Sequence, residues 1–281
     1  MRLFIGLFLA ICLFAQDSLK QAEELYQRTE YKASVAVLQQ LPPKNAAGYA
    51  LAGRDYFMLG EFKKATEAFQ RAFALEPKKS EYAHWLGRAF GRRAEMSNWF
   101  SAPGLASKAR QYFEQAVALD PSNGEAMNDL FDFYLQAPGF LGGGYDKAQA
   151  LAQRIAAHNT AEGHFALAQL ADKRKQYDTA EDQLRRAMEV APRELGRVLD
   201  LAKYLAKHGR IEDSEAAFER AEKLAPHSPK LFFARANTYI QQKRNLDQAR
   251  SLLKKYLQSN LSPDDPPREE AVRLLKQTSG S

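Results

Sequence analysis

The sequence predicts an all-α solenoid of stacked helix pairs. Three observations predict it: one pattern of large, small and aromatic residues recurs along the chain, a proline closes most copies, and no segment shows the alternation of a strand. In the fullest copy the pattern reads Tyr49, Ala52-Gly53, Tyr56, Gly60, Phe62, Ala65, Phe69, Ala72 and Pro77. It returns as His164, Leu167-Ala168, Ala171, Tyr177, Ala180, Leu184, Ala187 and Pro192, and again as Val198, Leu201-Ala202, Leu205, Gly209, Ile211, Ser214, Phe218, Ala221 and Pro226. Pro192 and Pro226 stand 34 residues apart, the stride of a helix pair with its turns.

Each element follows from side-chain size and backbone chemistry. Ahead of the first full copy, Asp17 to Arg28 and Tyr31 to Gln40 predict a helix pair, with Leu19, Ala22, Leu25 and Tyr26 on one face and Pro42-Pro43 as the stop. Small residues in the repeated pattern let two helices approach, while Tyr, Phe and Leu fill the space between layers. The closing proline lacks the amide hydrogen a helix needs and disfavours helical geometry in the residue before it. Two middle copies are stretched. Leu86-Gly87 and Phe90 open one that ends with Ala109, Phe113, Ala116 and Pro121, and Met127, Leu130-Phe131 and Tyr134 open another that ends with Ala148. Their insertions run from Arg92 to Ser107 and from Gln136 to Tyr145. A last copy opens with Phe232, Arg235-Ala236 and Tyr239, and its second helix, Asn245 to Leu257, is shifted by one residue. Behind it Asp264-Asp265 as an N-cap, Pro266-Pro267 in the first turn, and Ala271, Leu274 and Leu275 as an apolar stripe predict a capping helix near 266–277. The count is about seven pairs, read as one solenoid domain over 16–281.

Charge and composition narrow the function. The chain has 281 residues and a formal net charge of +6, with 40 Lys and Arg interspersed among 34 Asp and Glu, which describes a solvated helical surface and not a nucleic-acid footprint. At the N-terminus Arg2, an apolar run from Leu3 to Phe14 and a small residue at Ala15 have the architecture of a signal peptide, so residues 1–15 are expected to be removed and the protein to be periplasmic or secreted. The run is too short for a stable membrane span. The one cysteine, Cys12, lies within it; a lipoprotein anchored through Cys12 is the alternative, with Ile11 where a small residue is wanted.

Chemistry-bearing constellations are sparse. The five histidines, His84, His158, His164, His208 and His227, never fall at the spacing that puts two ligands on one helical face, so no metal is expected. Gly142-Gly143-Gly144 invites a phosphate-loop reading, but no Lys-Ser or Lys-Thr pair closes it; its glycines are expected to supply positive backbone angles in a tight loop. No nucleophile has a base in a suggestive pattern, and neither catalysis nor a cofactor is expected.

The repeated pattern resembles the tetratricopeptide-repeat family over nearly all of the chain beyond the leader, and the stretched copies, with Ala137 to Gly144, resemble exported bacterial members. The resemblance implies a right-handed superhelix acting as a scaffold or peptide-binding adaptor. It also implies a concave groove lined by the first helix of each pair, whose exposed positions here are Arg54, Phe57, His84, Arg88, Arg92, Asn128, Asp132, Phe165, Gln169, Lys173, Lys203, Lys207, Phe233 and Asn237. The clamp by which some members hold a terminal carboxylate wants Lys followed by Asn; His84 with Arg88 and Phe233 with Asn237 depart from it. Outside the groove, Trp99 and Phe100 of the first insertion and Phe140 and Leu141 of the second lie at equivalent turns. They either build one apolar contact platform or fold back to cover the stretched repeats. The expected partner is an unidentified protein or peptide, with association to the cell envelope; nucleic acid is not expected. The alternative is an enzyme, or its accessory subunit, acting on an envelope polymer, with a basic groove holding an acidic chain. Self-assembly through an open end of the stack is a third reading.

Overall fold

The computed structural model describes residues 18–40 and 45–278, and every regular element among them is helical. The leader Met1 to Ala15, Cys12, Asp17 and Pro42-Pro43 lie outside the described residues. The described chain forms two compact units that meet in sequence at Gly144 and Tyr145. The first holds α1 (18–27), α2 (Tyr31–Gln40), α3 (Ala46–Met58), α4 (Phe62–Leu75), α5 (Ser80–Glu95), α6 (Ala102–Leu119) and α7 (Gly124–Gln136), followed by a 3-10 turn at Gly139–Leu141. The second holds α8 (Tyr145–His158), α9 (Thr160–Lys173), α10 (Tyr177–Val190), α11 (Leu195–Lys207), α12 (Ile211–Leu224), α13 (Pro229–Gln241), α14 (Leu246–Gln258) and α15 (Arg268–Thr278). In chain order these are seven pairs and a closing single helix, the fold class the sequence predicts.

Within each unit a helix packs on its successor, and first helices also pack on first helices: α3 on α5, α5 on α7, α11 on α13. The small positions make this possible. A Cβ built on Gly53 would stand 2.7 Å from the Phe69 ring, and one on Gly87 would overlap the ring of Phe113. Phe69 is fully buried and stacks on Trp85, with ring centroids 5.5 Å apart. In the second unit Ala202 and Ala221 flank Phe218 in a core that includes Leu184, Val198, Leu205 and Leu231. α15 lays Ala271 and Leu274 on Leu253 and Tyr256, covering the last pair as expected of a cap.

Helix entries and turns follow local chemistry. Asn45, Asn123 and Asn159 cap α3, α7 and α9 by accepting from the amides of Gly48, Ala126 and Glu162. The turn inside a pair needs a left-handed residue, supplied by Gly60 (φ 74°) and Gly209 (φ 76°); Lys175 (φ 60°) and Lys243 (φ 51°) adopt the same geometry at the equivalent turns without glycine's freedom.

Three elements of the fold depart from the sequence reading. The first insertion is mostly helix: α5 runs on to Glu95 and α6 starts at Ala102 with Pro103 in its first turn, leaving only Met96 to Ser101 between them. Tyr177 fills no interlayer space. It is 45% exposed at the start of α10, with its ring against His208 and its carbonyl accepting from the Tyr204 hydroxyl. Asp265 does not cap α15; its carboxylate instead accepts from the amide and hydroxyl of Ser262 and closes the preceding turn. Phe131, which the sequence places in the small slot of the fourth copy, is buried there as the pattern requires.

One buried polar group stands out. Ser34 Oγ lies 2.9 Å from the Ala22 carbonyl and 2.6 Å from Asp55 Oδ2, yet one hydroxyl hydrogen serves one acceptor. While Asp55 is ionised the Ser34 hydroxyl donates to its carboxylate; once Asp55 takes up a proton, its hydroxyl can donate to Ser34 and leave the Ser34 hydrogen to Ala22. Burial pushes the Asp55 carboxyl up to about 7, against the smaller opposing pulls of the Ser34 hydroxyl and the Arg54 guanidinium. Ser214 repeats the lower half of this link, donating to the Ala202 carbonyl at 2.8 Å with no carboxyl above it.

Replacing Gly53 with leucine is expected to cost about 1 to 3 kcal/mol by forcing Phe69 out of its place; denaturant unfolding with an unchanged midpoint would show that the close approach is not needed. Asp55 sets a pH dependence. Between its ordinary value of 3.8 and about 7 the folded chain holds a proton that the unfolded chain has lost, so stability falls as pH rises through that window. Asp55→Asn is expected to flatten this slope by an amount on the order of 4 kcal/mol across it, and parallel pH profiles of the two proteins would contradict the assignment.

Candidate functional site

The first unit carries a cleft of about 480 Å³ between α5, α6 and α7, roofed by the second insertion. Its lining is largely apolar: Phe57 from α3, Phe113 and Ala109 from α6, Phe133 from α7, and Pro138 and Leu141 from the insertion. It is open because small residues line its α5 wall. A Cβ on Gly91 would meet only the Ala109 methyl, at 4.0 Å, and Ala94 follows one turn later. The rim is polar, with Arg88, Arg92 and Glu95 on α5 and Asp129, Asp132 and Gln136 on α7.

The rim's cations are held and compensated. The Arg88 guanidinium lies 4.4 Å from the Trp85 ring centroid and 5.4 Å from that of Phe57, with its Nε 3.5 Å from Asp129. Arg92 stacks over Phe62 and pairs with Glu95. His84 is buried, its Nε2 2.7 Å from Asp129 Oδ2, so one carboxylate on α7 ties down two residues of α5. The cleft is amphipathic, and its walls present no uncompensated positive field.

The second insertion is closed by its glycines. Gly142 takes φ 91°, as expected of a left-handed position, and packs on Arg110; the amides of Gly143 and Gly144 donate to the carbonyls of Pro138 and Tyr134. A side chain on Gly143 would run into the Ala137 carbonyl. These amides are taken up by carbonyls of the loop and of α7.

Of the groove positions read from the sequence, Phe57, Arg88, Arg92 and Asp132 meet at this cleft. Arg54 lies along α3, its guanidinium 5.3 Å from the Tyr26 ring centroid and 3.7 Å from Glu81. Asn128 is half-buried on α7. His84 is a correction, since its burial against Asp129 removes it from the surface. In the second unit Phe165 lies under Arg197, Lys203 pairs with Asp200 at 2.8 Å, and Lys207 pairs with Asp172 at 2.6 Å. Gln169 and Asn237 are half-exposed and Lys173 is exposed. Phe233 is also a correction: it is buried against Tyr256, because α15 and its approach cover that end of α13. Sequence reasoning missed Gly91, Ala109, Asp129 and Phe133. The signal for Gly91 was present, as a glycine inside a helix one turn after the small position Gly87.

The insertion residues divide. Leu141 folds back and lines the cleft, whereas Trp99 is 76% exposed, Phe100 75% and Phe140 83%. The three aromatics therefore cover nothing. Asn98 holds the first loop in this form: its side-chain oxygen accepts from the amides of Phe100 and Ser101 and from the Ser101 hydroxyl. Among the described residues no group of three His, Cys, Asp or Glu side chains is placed to hold a metal ion, and no helix is long and apolar enough to cross a membrane.

Comparison with known proteins agrees with this architecture. Residues 199–266, from α11 past the end of α14, match the tetratricopeptide repeat family model. No curated relative matches the sequence. Among solved structures, a tetratricopeptide repeat protein from Parabacteroides merdae superposes with a TM-score of 0.58 at 17% identity, covering 95% of this chain and 99% of its own. A thermophilic tetratricopeptide repeat protein of Thermus thermophilus gives 0.55 at 22% identity over 68% of this chain and 98% of its own. The C-terminal part of a repeat protein from Cytophaga hutchinsonii gives 0.50 at 17% identity, over 92% and 99%. The tetratricopeptide repeats matched in sequence thus lie in the second unit, and the fold of the described chain is that of tetratricopeptide-repeat structures.

Proposed function

We propose that the protein is an exported scaffold that binds a segment of another protein by seating an apolar side chain of that segment in the cleft between α5, α6 and α7. The observation that carries this reading is the cleft's composition: an aromatic and aliphatic floor, a wall of glycine and alanine, and a rim whose charges are already satisfied. Such a site gains from burying apolar surface, while Asp132 and Gln136 at its mouth suit the backbone amides of an extended or helical segment. Its volume of about 480 Å³ suits one or two large side chains and is small for a folded domain. Export rests on Arg2, the apolar run Leu3 to Phe14 and Ala15.

Gly91→Leu tests the cleft. The new Cβ has room, and the helix loses a glycine, so melting should not fall; the rest of the side chain fills the space a partner would use. In capture from an envelope extract, the unmodified protein is expected to hold a partner that resists about 0.5 M salt and that the leucine variant no longer retains. Equal retention by both proteins would exclude the cleft as the binding site.

A further inference from the structure

Met96 is 71% exposed and precedes Trp99 and Phe100, whose rings lie against each other with centroids 3.7 Å apart. Neither aromatic lines the cleft or the shallow basin formed by Gly60, Lys63, Lys64, Arg93, Met96 and Ser97. They stand beyond both, on a loop fixed by Asn98. The ground around them is basic. Lys63, Lys64 and Arg93 border the basin beside Met96; the guanidinium of Arg93 and the ammonium of Lys108 each sit 5.4 Å from the Phe90 ring centroid. Glu61 pairs with Lys64, but among the described residues Lys63, Arg93 and Lys108 have no carboxylate partner, and the stretch from Met96 to Ser107 contains no acidic residue.

We propose that this edge docks on the surface of an anionic lipid bilayer, with Trp99, Phe100 and Met96 entering the headgroup boundary and Lys63, Arg93 and Lys108 meeting lipid phosphates. A protein partner would need a cavity shaped to these side chains and acidic residues set to three dispersed cations. A bilayer interface takes tryptophan and phenylalanine without shape matching and supplies negative charge over its whole surface. Asn98 gives the tip its form in the absence of lipid, so little loop ordering opposes entry. The inference is independent of the cleft, whose lining shares neither aromatic.

The test uses the whole chain with vesicles of phosphatidylcholine alone and with about one third phosphatidylglycerol. Because the apolar run Leu3 to Phe14 contacts lipid in any unprocessed chain, the readout is local: the blue shift of tryptophan emission and its quenching by brominated lipid, with Trp99→Phe removing the Trp99 signal and leaving Trp85. The unmodified protein is expected to shift only with the anionic vesicles. Lys63→Gln/Arg93→Gln/Lys108→Gln should raise the lipid concentration needed by tenfold or more. Trp99→Ala/Phe100→Ala, which removes only exposed surface and should melt as the unmodified protein does, should abolish vesicle-dependent protection of the loop from proteolysis. Gly91→Leu should bind vesicles normally, which separates failure of this inference from failure of the cleft. An emission shift of equal size with neutral vesicles, no Trp99 shift with either, or aromatic-dependent self-association without lipid would each overturn the proposal, the last by naming a second copy as the occupant.

Discussion

Two helices approach within reach of each other's backbone only where one offers a hydrogen or a methyl group, and everything else in both units is arranged around that constraint. Gly53 under Phe69 and Gly87 under Phe113 leave no room for another atom, and Ala202 beside Phe218 repeats the arrangement with a methyl. The aromatic partner closes the pair and also supplies the next layer, as Phe69 does by stacking on Trp85. A change at one such contact therefore moves two layers, because packed interiors transmit displacement in place of absorbing it. The Asp55, Ser34 and Ala22 link belongs to the same contact system: it ties α3 to the first pair at a place where burial strengthens the carboxyl's hold on its proton.

Lengthening one pair is how this regular packing makes a site. The ordinary helices of a pair here have 13 or 14 residues, as α3, α12 and α14 do, whereas α5 has 16 and α6 has 18. The added length of α5 carries Gly91 and Ala94, which line the cleft where large residues would fill it. This length would expose apolar surface on both sides. One side is closed in part by Leu141 and Pro138 of the second insertion, which turns it into a walled cleft; the other ends in Met96, Trp99 and Phe100, which stay in the open.

The repeat register, the helix pairs and the cap were legible in the sequence because each rests on residue size and on proline, which act locally. Ala65, Phe69, Ala109, Phe113, Ala180 and Phe218 are buried where the pattern puts them. What failed was whatever depends on a neighbour from elsewhere in the chain. His84 occupies a groove position, but Asp129 of α7, far along the sequence, draws it inside. Phe233 occupies another and is covered from the direction of α15. Tyr177 has the right residue type at the right spacing, yet at the start of α10 its ring lies against His208 and stays 45% exposed. The first insertion read as a loop because Pro103 and Gly104 are punctuation in most contexts, and Pro103 at a helix start is the context in which they are not.

Charge was the least legible property, since a count of cations says nothing of where each is compensated. Arg54, Arg88, Arg92 and Arg197 lie over the rings of Tyr26, Trp85, Phe62 and Phe165, and each also reaches a carboxylate. A guanidinium held in this way acts as a flat cover on an aromatic face, and its field falls off quickly because an opposite charge sits beside it. The first-helix positions therefore look basic in sequence and behave as amphipathic surface in the fold. Beside the exposed loop, Lys63, Arg93 and Lys108 have no carboxylate partner among the described residues. On the two proposals made above, long-range attraction belongs to the edge and short-range apolar capture to the cleft, and separating the two would let the chain engage a charged surface without using the cleft.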